Sequence, residues 1–467
     1  MHRSFGITRA AIGLAQGIVL YFLDAAFEAK TWPATDALVF APLVLVSVFV
    51  PTVAVAAIGN LRPRNFAIWT VAATVILAGL GAYDILRDPG GAVDIFQALL
   101  NGTRPRGVPS ITLWLIVPVG LFIAQALIVS GDADRKFMAG YGRYFDIAWK
   151  HGVQIVLAAL FLGAFWLLLW LGAAIFKLIN IDVLAELIAK RWFALPASTF
   201  VIACAILITD VQAGIVRGVR TLTLTLLSWL MPLMAAMTVA FLAALVFTGL
   251  EPLLSTRRAT AVLLFAGAAL VLLLNAAYQD GPGEQQVARI LRYAGTATAV
   301  ALTPLVAIAA YAVALRVEQY GWTPERVVAV ACVVFAACYA LGYLLAALKS
   351  PQWLKWIEPT NILAAFVVLA VMLALLSPMA DPARIAVADQ VARLESGRIS
   401  PEKFDYQFLR FRSGRYGVEA LARLRAKQDG PDAARIAERA NAIWCRTVAA
   451  WMLAPERMVE TAAYPAC

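Results

Sequence analysis

Histidine is almost missing from this 467-residue chain. His2 and His151 are the only two, too few for a histidine-rich metal centre, and the H-E-x-x-H pattern of zinc hydrolases does not occur. Cysteine is scarce as well. The five thiols, Cys204, Cys332, Cys338, Cys445 and Cys467, form no C-x-x-C pair. The first three sit in apolar runs, where a thiol behaves as a small hydrophobe, so redox and iron–sulfur chemistry find no support. There is no G-x-x-x-x-G-K-[ST], no G-x-G-x-x-G after a strand and no G-x-S-x-G, which removes the usual signatures of nucleotide-driven pumping and of elbow-type serine hydrolysis. No cofactor and no metal is implied. Charge is also in short supply: 15% of residues are charged while 62% are hydrophobic, a balance that no soluble surface tolerates.

What the chain has in abundance is apolar runs of about 20 residues, the length that crosses a bilayer as a helix. They fall at 7–23, 37–58, 66–83, 111–130, 153–176, 196–216, 224–250, 260–278, 293–315, 327–348 and 361–379. The expected fold is therefore all-α: a polytopic membrane domain of about eleven helices over residues 1–380, followed by a small helical region over 381–467. The first run has Arg3 and Arg9 ahead of it, as a signal peptide would, but no small-x-small cleavage site follows, so it reads as an uncleaved helix. Residues 181–192 carry Leu184, Leu187 and Ile188 on one face and Asp182, Glu186 and Lys190 on the other; too short to cross, they are expected to lie in the interface.

The net charge of +10 is spread over both parts, with 25 Lys and Arg against 18 Asp and Glu over residues 1–380, and 14 against 11 over residues 381–467. Contacts with anionic lipid headgroups account for such an excess, and nucleic acid is not needed. Arg3 and Arg9, Arg62 and Arg64, and Arg217 and Arg220 cluster at alternate span ends, which places the N-terminus on the cytoplasmic side. An odd span count then puts the C-terminal tail on the other face, the periplasm for a bacterial inner membrane. There Cys445 and Cys467 are an even count that permits a disulfide. Within the tail, Asp381-Pro382, Ser400-Pro401 and Gly430-Pro431-Asp432 each announce a helix start. On the last of these helices Ile436, Ala440, Ile443, Val448 and Trp451 form an apolar stripe opposite Arg435, Arg439 and Arg446.

Polar groups deep in lipid are costly and so mark candidate pathways. Asp210 is the strongest: an ion pair with Arg217 or Arg220 near the surface would account for it, and a proton-relay or ion-coupling role is the alternative. Asn275 near the end of the eighth span is weaker, because Asp280-Gly281-Pro282-Gly283 beside it is mainly a turn. Arg316, Glu318 and Tyr320 open the densest polar stretch between spans, which runs to Arg326. Gly321 ends one helix there, Thr323 caps the next and Pro324 takes its first position, yet the ionisable side chains can also bind a headgroup or a solute. Tyr320, Trp322, Trp353 and Trp356 fall at span ends, where aromatic rings prefer the headgroup zone. The stretch 408–416 mixes basic and aromatic residues and suits either anionic lipid or a solvated helix end.

From about residue 150 to 425 the chain resembles a bacterial family of multi-span membrane proteins described as a domain of unknown function, DUF4153. The likeness rests on Leu274-Asn275-Ala276-Ala277-Tyr278-Gln279-Asp280, on the stretch from Arg316 to Arg326 with Tyr339-Ala340-Leu341-Gly342-Tyr343, and on Ser377-Pro378-Met379-Ala380-Asp381-Pro382 leading to Gln390. It implies an architecture and no activity, and residues 1–150 and the last forty carry none of these motifs. Three readings of function follow. The first is an envelope protein that transports or binds a lipid-like or small solute. The second is a lipid-linked glycosyltransferase-like enzyme using Asp24 and Glu28 of an acidic first outer loop. The third is a scaffold that recruits an envelope partner through its tail.

Overall fold

The computed structural model describes residues 2–88, 107–256, 258–281, 287–349, 352–430 and 432–452. Among these the chain is helical throughout, with no strand. Eleven helices are long and apolar enough to cross a membrane: α1 (His2–Ala29), α2 (Ala37–Ala57), α3 (Pro63–Arg87), α4 (Ile111–Asp134), α5 (Tyr141–Lys177), α7 (Arg191–Val211), α8 (Ala213–Thr248), α10 (Ala259–Tyr278), α11 (Arg289–Tyr320), α12 (Pro324–Lys349) and α13 (Ile357–Leu375). Short helices α6 (Val183–Ala189) and α9 (Glu251–Ser255) lie between spans, the former in the stretch expected to rest in the interface. The tail adds α14 (Pro382–Glu395), α15 (Tyr406–Phe411), α16 (Gly414–Arg425) and α17 (Ala433–Met452). The chain is thus a multi-pass membrane protein with helices at its C-terminal end.

Two of these bounds correct the sequence reading. α1 continues to Ala29, so Asp24 and Glu28 stand on its last turns and not in a loop; Asp36, the third acidic residue of that segment, caps α2 by accepting from the Leu38 N–H at 3.0 Å. α7 ends at Val211 and α8 begins at Ala213, so Arg217 and Arg220 belong to the following helix. At 37 residues and ~1.5 Å per residue, α5 is about 55 Å long and extends well past a ~30 Å hydrocarbon core.

α1 and α7 pack closely because small residues face each other, the usual device where lipid offers no hydrophobic drive for helix pairing. A Cβ on Gly13 would stand 2.6 Å from the Ala203 Cβ, and one on Gly17 only 2.3 Å from the Pro196 Cα. Ion pairs close the same helix pair at both ends: Arg9 with Asp210, and Arg191 with Asp24 and Glu28 at 2.6 and 2.8 Å.

The largest core forms around α10, α11 and α12, where Leu270, Leu274, Leu302, Ala309 and Tyr343 are fully enclosed. α12 and α13 approach through Gly342, whose missing side chain is replaced by the Thr360 side chain. Trp353 packs on Tyr278 at 5.9 Å against this core, whereas Tyr320 and Trp356 are exposed.

The tail helices have a core of their own, built from Val387, Leu394, Leu409, Leu421, Leu424, Ile436, Ala440 and Trp444. Ile436 and Ala440 are buried as the apolar stripe on α17 predicts, and Ile443 packs against them; the side chains of Cys445, Val448 and Trp451, and the whole of Cys467, lie outside what the structure describes. The 408–416 stretch faces protein: Arg410 stacks on Trp444, Arg412 pairs with Glu325, and the Tyr416 hydroxyl meets that of Tyr83 at 3.0 Å. Asp381 caps α14 through the N–H groups of Ala383 and Arg384, and its second oxygen accepts from Tyr83 at 2.7 Å, which ties the tail to α3.

Candidate functional site

Consecutive spans run in opposite directions, so the C-terminal ends of α10 and α11 lie at opposite ends of the bundle. Between them is a cavity of about 1420 Å³, walled by α4, α5, α10, α11, α12 and α13. Its wall is mainly apolar, from Phe122 and Leu127 through Phe145, Trp149, Leu264 and Val271 to Phe335 and Ile362. Phe265 and Leu272, two further lining residues in mid-span, are 82% and 50% exposed, so the cavity opens sideways at the depth of the bilayer.

At one end Asn275 sits in a closed hydrogen-bonded ring contributed by four spans. Its amide donates to the Tyr343 hydroxyl at 2.7 Å, that hydroxyl donates to Asn361 Oδ1 at 2.7 Å, and Asn361 Nδ2 donates back to Asn275 Oδ1 at 2.5 Å. Tyr141 bridges both asparagines at 3.3 and 3.2 Å. Each polar group finds a partner inside the ring, which is what burial demands. Sequence reasoning singled out Asn275 and missed its three partners, since nothing local in the chain brings spans five, eight, ten and eleven together.

At the other end Arg316, Tyr320, Glu325 and Arg326 line the cavity. The guanidinium groups of Arg316 and Arg326 lie 5.8 and 5.6 Å from the centre of the Tyr320 ring. Arg316 donates to the Leu254 carbonyl at 2.8 Å, and Arg326 donates to the Gly321 carbonyl. The turn behaves as its residues predict, with Gly321 at φ +76° and the Thr323 hydroxyl accepting from the Arg326 N–H at 3.4 Å. It is also a docking platform. Asp389 of α14 accepts from the Trp322 N–H at 2.8 Å, Gln390 donates to the carbonyls of Tyr320 and Trp322 at 3.1 and 3.0 Å, and Arg393 donates to those of Glu318 and Gln319 at 3.3 and 3.1 Å. Gly321 is required twice over, because a Cβ there would stand 2.5 Å from Asp389 Oδ2. Glu318 does not line the cavity; its carbonyl serves the tail.

Asp210 stands apart from the cavity. Its carboxylate is held by Arg9 at 2.6 Å, Lys150 at 2.8 Å and Gln154 at 2.8 Å, and not by Arg217 or Arg220; Arg220 pairs instead with Asp146 at 2.6 Å. The helix break at Gln212 explains the exchange, since it turns the two arginines onto a new axis. Arg9 is only 5% exposed at its side chain, so this is a buried pair joining the first, fifth and seventh helices. At the opposite end of α1, one guanidinium bridges both Asp24 and Glu28.

Eleven spans, a side-opening apolar cavity and a helical tail docked over its cationic end define a class of polytopic α-helical membrane protein. Residues 15–424 match the family described as "Domain of unknown function (DUF4153)", and the chain belongs to that family. The match reaches well upstream of the motifs that begin near residue 274, taking in the spans before residue 150. No curated protein and no solved structure matches the chain.

Proposed function

We propose that this is a bacterial inner-membrane protein of the cell envelope that takes a lipid-like molecule from the bilayer into its cavity, to hold it or move it between leaflets. The observation that carries the reading is the cavity itself. At about 1420 Å³ it exceeds the ~300–1,000 Å³ of sites for drug-sized solutes, and it opens toward lipid through an apolar wall. A small polar solute has little to bind along that wall. The basic residues Arg62, Arg64, Arg135, Lys136 and Arg143 lie at the same end of the bundle as the N-terminus, which supports a cytoplasmic N-terminus and periplasmic tail helices. The bridging of Asp24 and Glu28 by Arg191 supports a structural role for these carboxylates over the glycosyltransferase-like one.

Gly152 lines the cavity, and a Cβ added there meets no neighbouring atom within 4 Å. Gly152→Trp therefore starts from open space and sets an indole at the cavity wall; an unchanged melting curve checks that the fold is kept. Protein purified in mild detergent and analysed by mass spectrometry is expected to carry stoichiometric lipid, and the tryptophan variant much less. Equal lipid in both proteins would refute the cavity as the binding place.

A further inference from the structure

Resting on that reading, we propose that the bound molecule is an anionic, phosphate-bearing lipid, with its headgroup between Arg316 and Arg326 in the leaflet on the side of the tail helices. Three little-exposed carboxylates elsewhere in the chain are compensated within the protein. Asp210 has Arg9 and Lys150, Asp132 has Arg62 at 2.7 Å, and Asp381 has Arg87 at 3.8 Å. Arg316 and Arg326 differ. Both are half-buried and line the cavity, both spend a hydrogen bond on a backbone carbonyl, and among the described residues no carboxylate lies within ion-pair distance of either. Glu325, the one acidic residue in the same wall, is engaged by Arg412 at 3.1 Å from outside.

A half-buried cation without an ion-pair partner is costly, and two of them flanking one ring make a place where an anion lowers the energy of the whole. The guanidinium fork presents paired donors that match phosphate oxygens, and each arginine retains donors beyond the one its carbonyl uses. Both forks lie against the Tyr320 ring. The far end of the cavity carries no charge, because the ring of Tyr141, Asn275, Tyr343 and Asn361 satisfies itself. The cavity is therefore polarised, cationic at one end and apolar behind it, and an amphiphile has one way to enter it: phosphate at the arginines, chains along the wall.

The test compares phosphatidic acid with diacylglycerol of identical chains, added to the delipidated full-length protein and read by native mass spectrometry. Phosphatidic acid should be retained about tenfold better, the worth of a charge-assisted hydrogen bond or two. Rising salt should erode the preference. Arg316→Gln with Arg326→Gln should abolish it while diacylglycerol binding stays as it was, and Arg143→Gln, whose arginine pairs with Asp134 at the other end of the bundle, should preserve it. If the unmodified protein holds the two lipids alike, or its preference ignores salt, the headgroup assignment fails and the cavity reading survives. If it holds neither, both fail. Displacement of phosphatidic acid by inorganic phosphate alone would assign the arginines to a soluble anion and overturn the lipid.

Discussion

Arg9, near the start of the first helix, reaches Asp210 at the end of the seventh at 2.6 Å, while its other terminal nitrogen donates to the Ile58 carbonyl at 2.5 Å. The carboxylate is thus the shared counter-charge of Arg9 and Lys150. Replacing it by an amide leaves two cations without it, and breaking a buried pair from one side costs about 3–5 kcal/mol. Asp210→Asn is expected to lower the thermal midpoint in detergent sharply. Arg9→Met with Asp210→Leu should recover most of the loss, since Lys150 is about a third exposed and can extend to solvent. An unchanged midpoint in Asp210→Asn would show the pair to be structurally idle and return Asp210 to the ion-coupling reading, for which substrate flux is the measurement.

Glycine identity should matter at one position and not at another on helices of similar character. Gly17→Ala drives a methyl into the Pro196 backbone and should cost about 1–3 kcal/mol as α1 is pushed from α7. Gly163→Ala on α5 meets nothing within 4 Å and should be neutral or stabilising by up to about 1 kcal/mol through helix propensity. Parallel melting curves decide the point, and equal losses would disprove the close approach of α1 and α7.

Tail docking depends on a few side chains over the turn at Gly321. Asp389→Ala removes a charge-assisted bond to the Trp322 N–H, worth about 1.5–3 kcal/mol, and Gln390→Ala frees two carbonyls. The double variant should be cut by a soluble protease between Leu376 and Pro382 several-fold faster than wild type, with the membrane region left intact. Identical cleavage rates would mean that α14 is held elsewhere.

Tyr406, in the tail core, is pushed up to about 12 by burial, from an ordinary phenol value of 10.0. The unfolded chain therefore ionises first: the contribution of the neutral phenol is full below pH 10 and is lost as pH rises from there to about 12. Its hydroxyl has no hydrogen-bond partner among the described residues. Tyr406→Phe should accordingly be as stable as wild type near neutral pH, or better by about 1 kcal/mol, and should pull further ahead above pH 10. Urea unfolding followed by tryptophan fluorescence at pH 8 and 11 tests this, and a constant gap between the two proteins would contradict it.

Hydropathy made all eleven spans legible, along with the turn at Gly321 and the helix start at Asp381, because each depends on residues adjacent in the chain. The partners of Asp210 were not legible. Proximity in sequence favours Arg217 and Arg220, and a single non-helical residue at Gln212 overrides it. For Asn275 the polarity in an apolar run was the signal, yet Tyr141, Tyr343 and Asn361 arrive from three other helices and each has an ordinary place at a span end. Arg316 and Tyr320 were visible as a polar cluster, but that they line a cavity depends on how six helices pack. Asp24 and Glu28 stood out as acidic loop residues only because hydropathy ends the first helix several residues before hydrogen bonding does.

A membrane that stores an ion gradient is an insulator, and a chamber of about 1420 Å³ hollowed into it thins the insulation. The ring of two tyrosines and two asparagines supplies what the chamber takes away. Its donors and acceptors are spent on one another and on the Val271 carbonyl, so a file of water molecules entering from that side finds nothing to carry its hydrogen bonds inward. Loosening the ring, as Asn361→Ala would, should therefore show itself first as a proton leak across vesicles, before any loss of the proposed lipid binding.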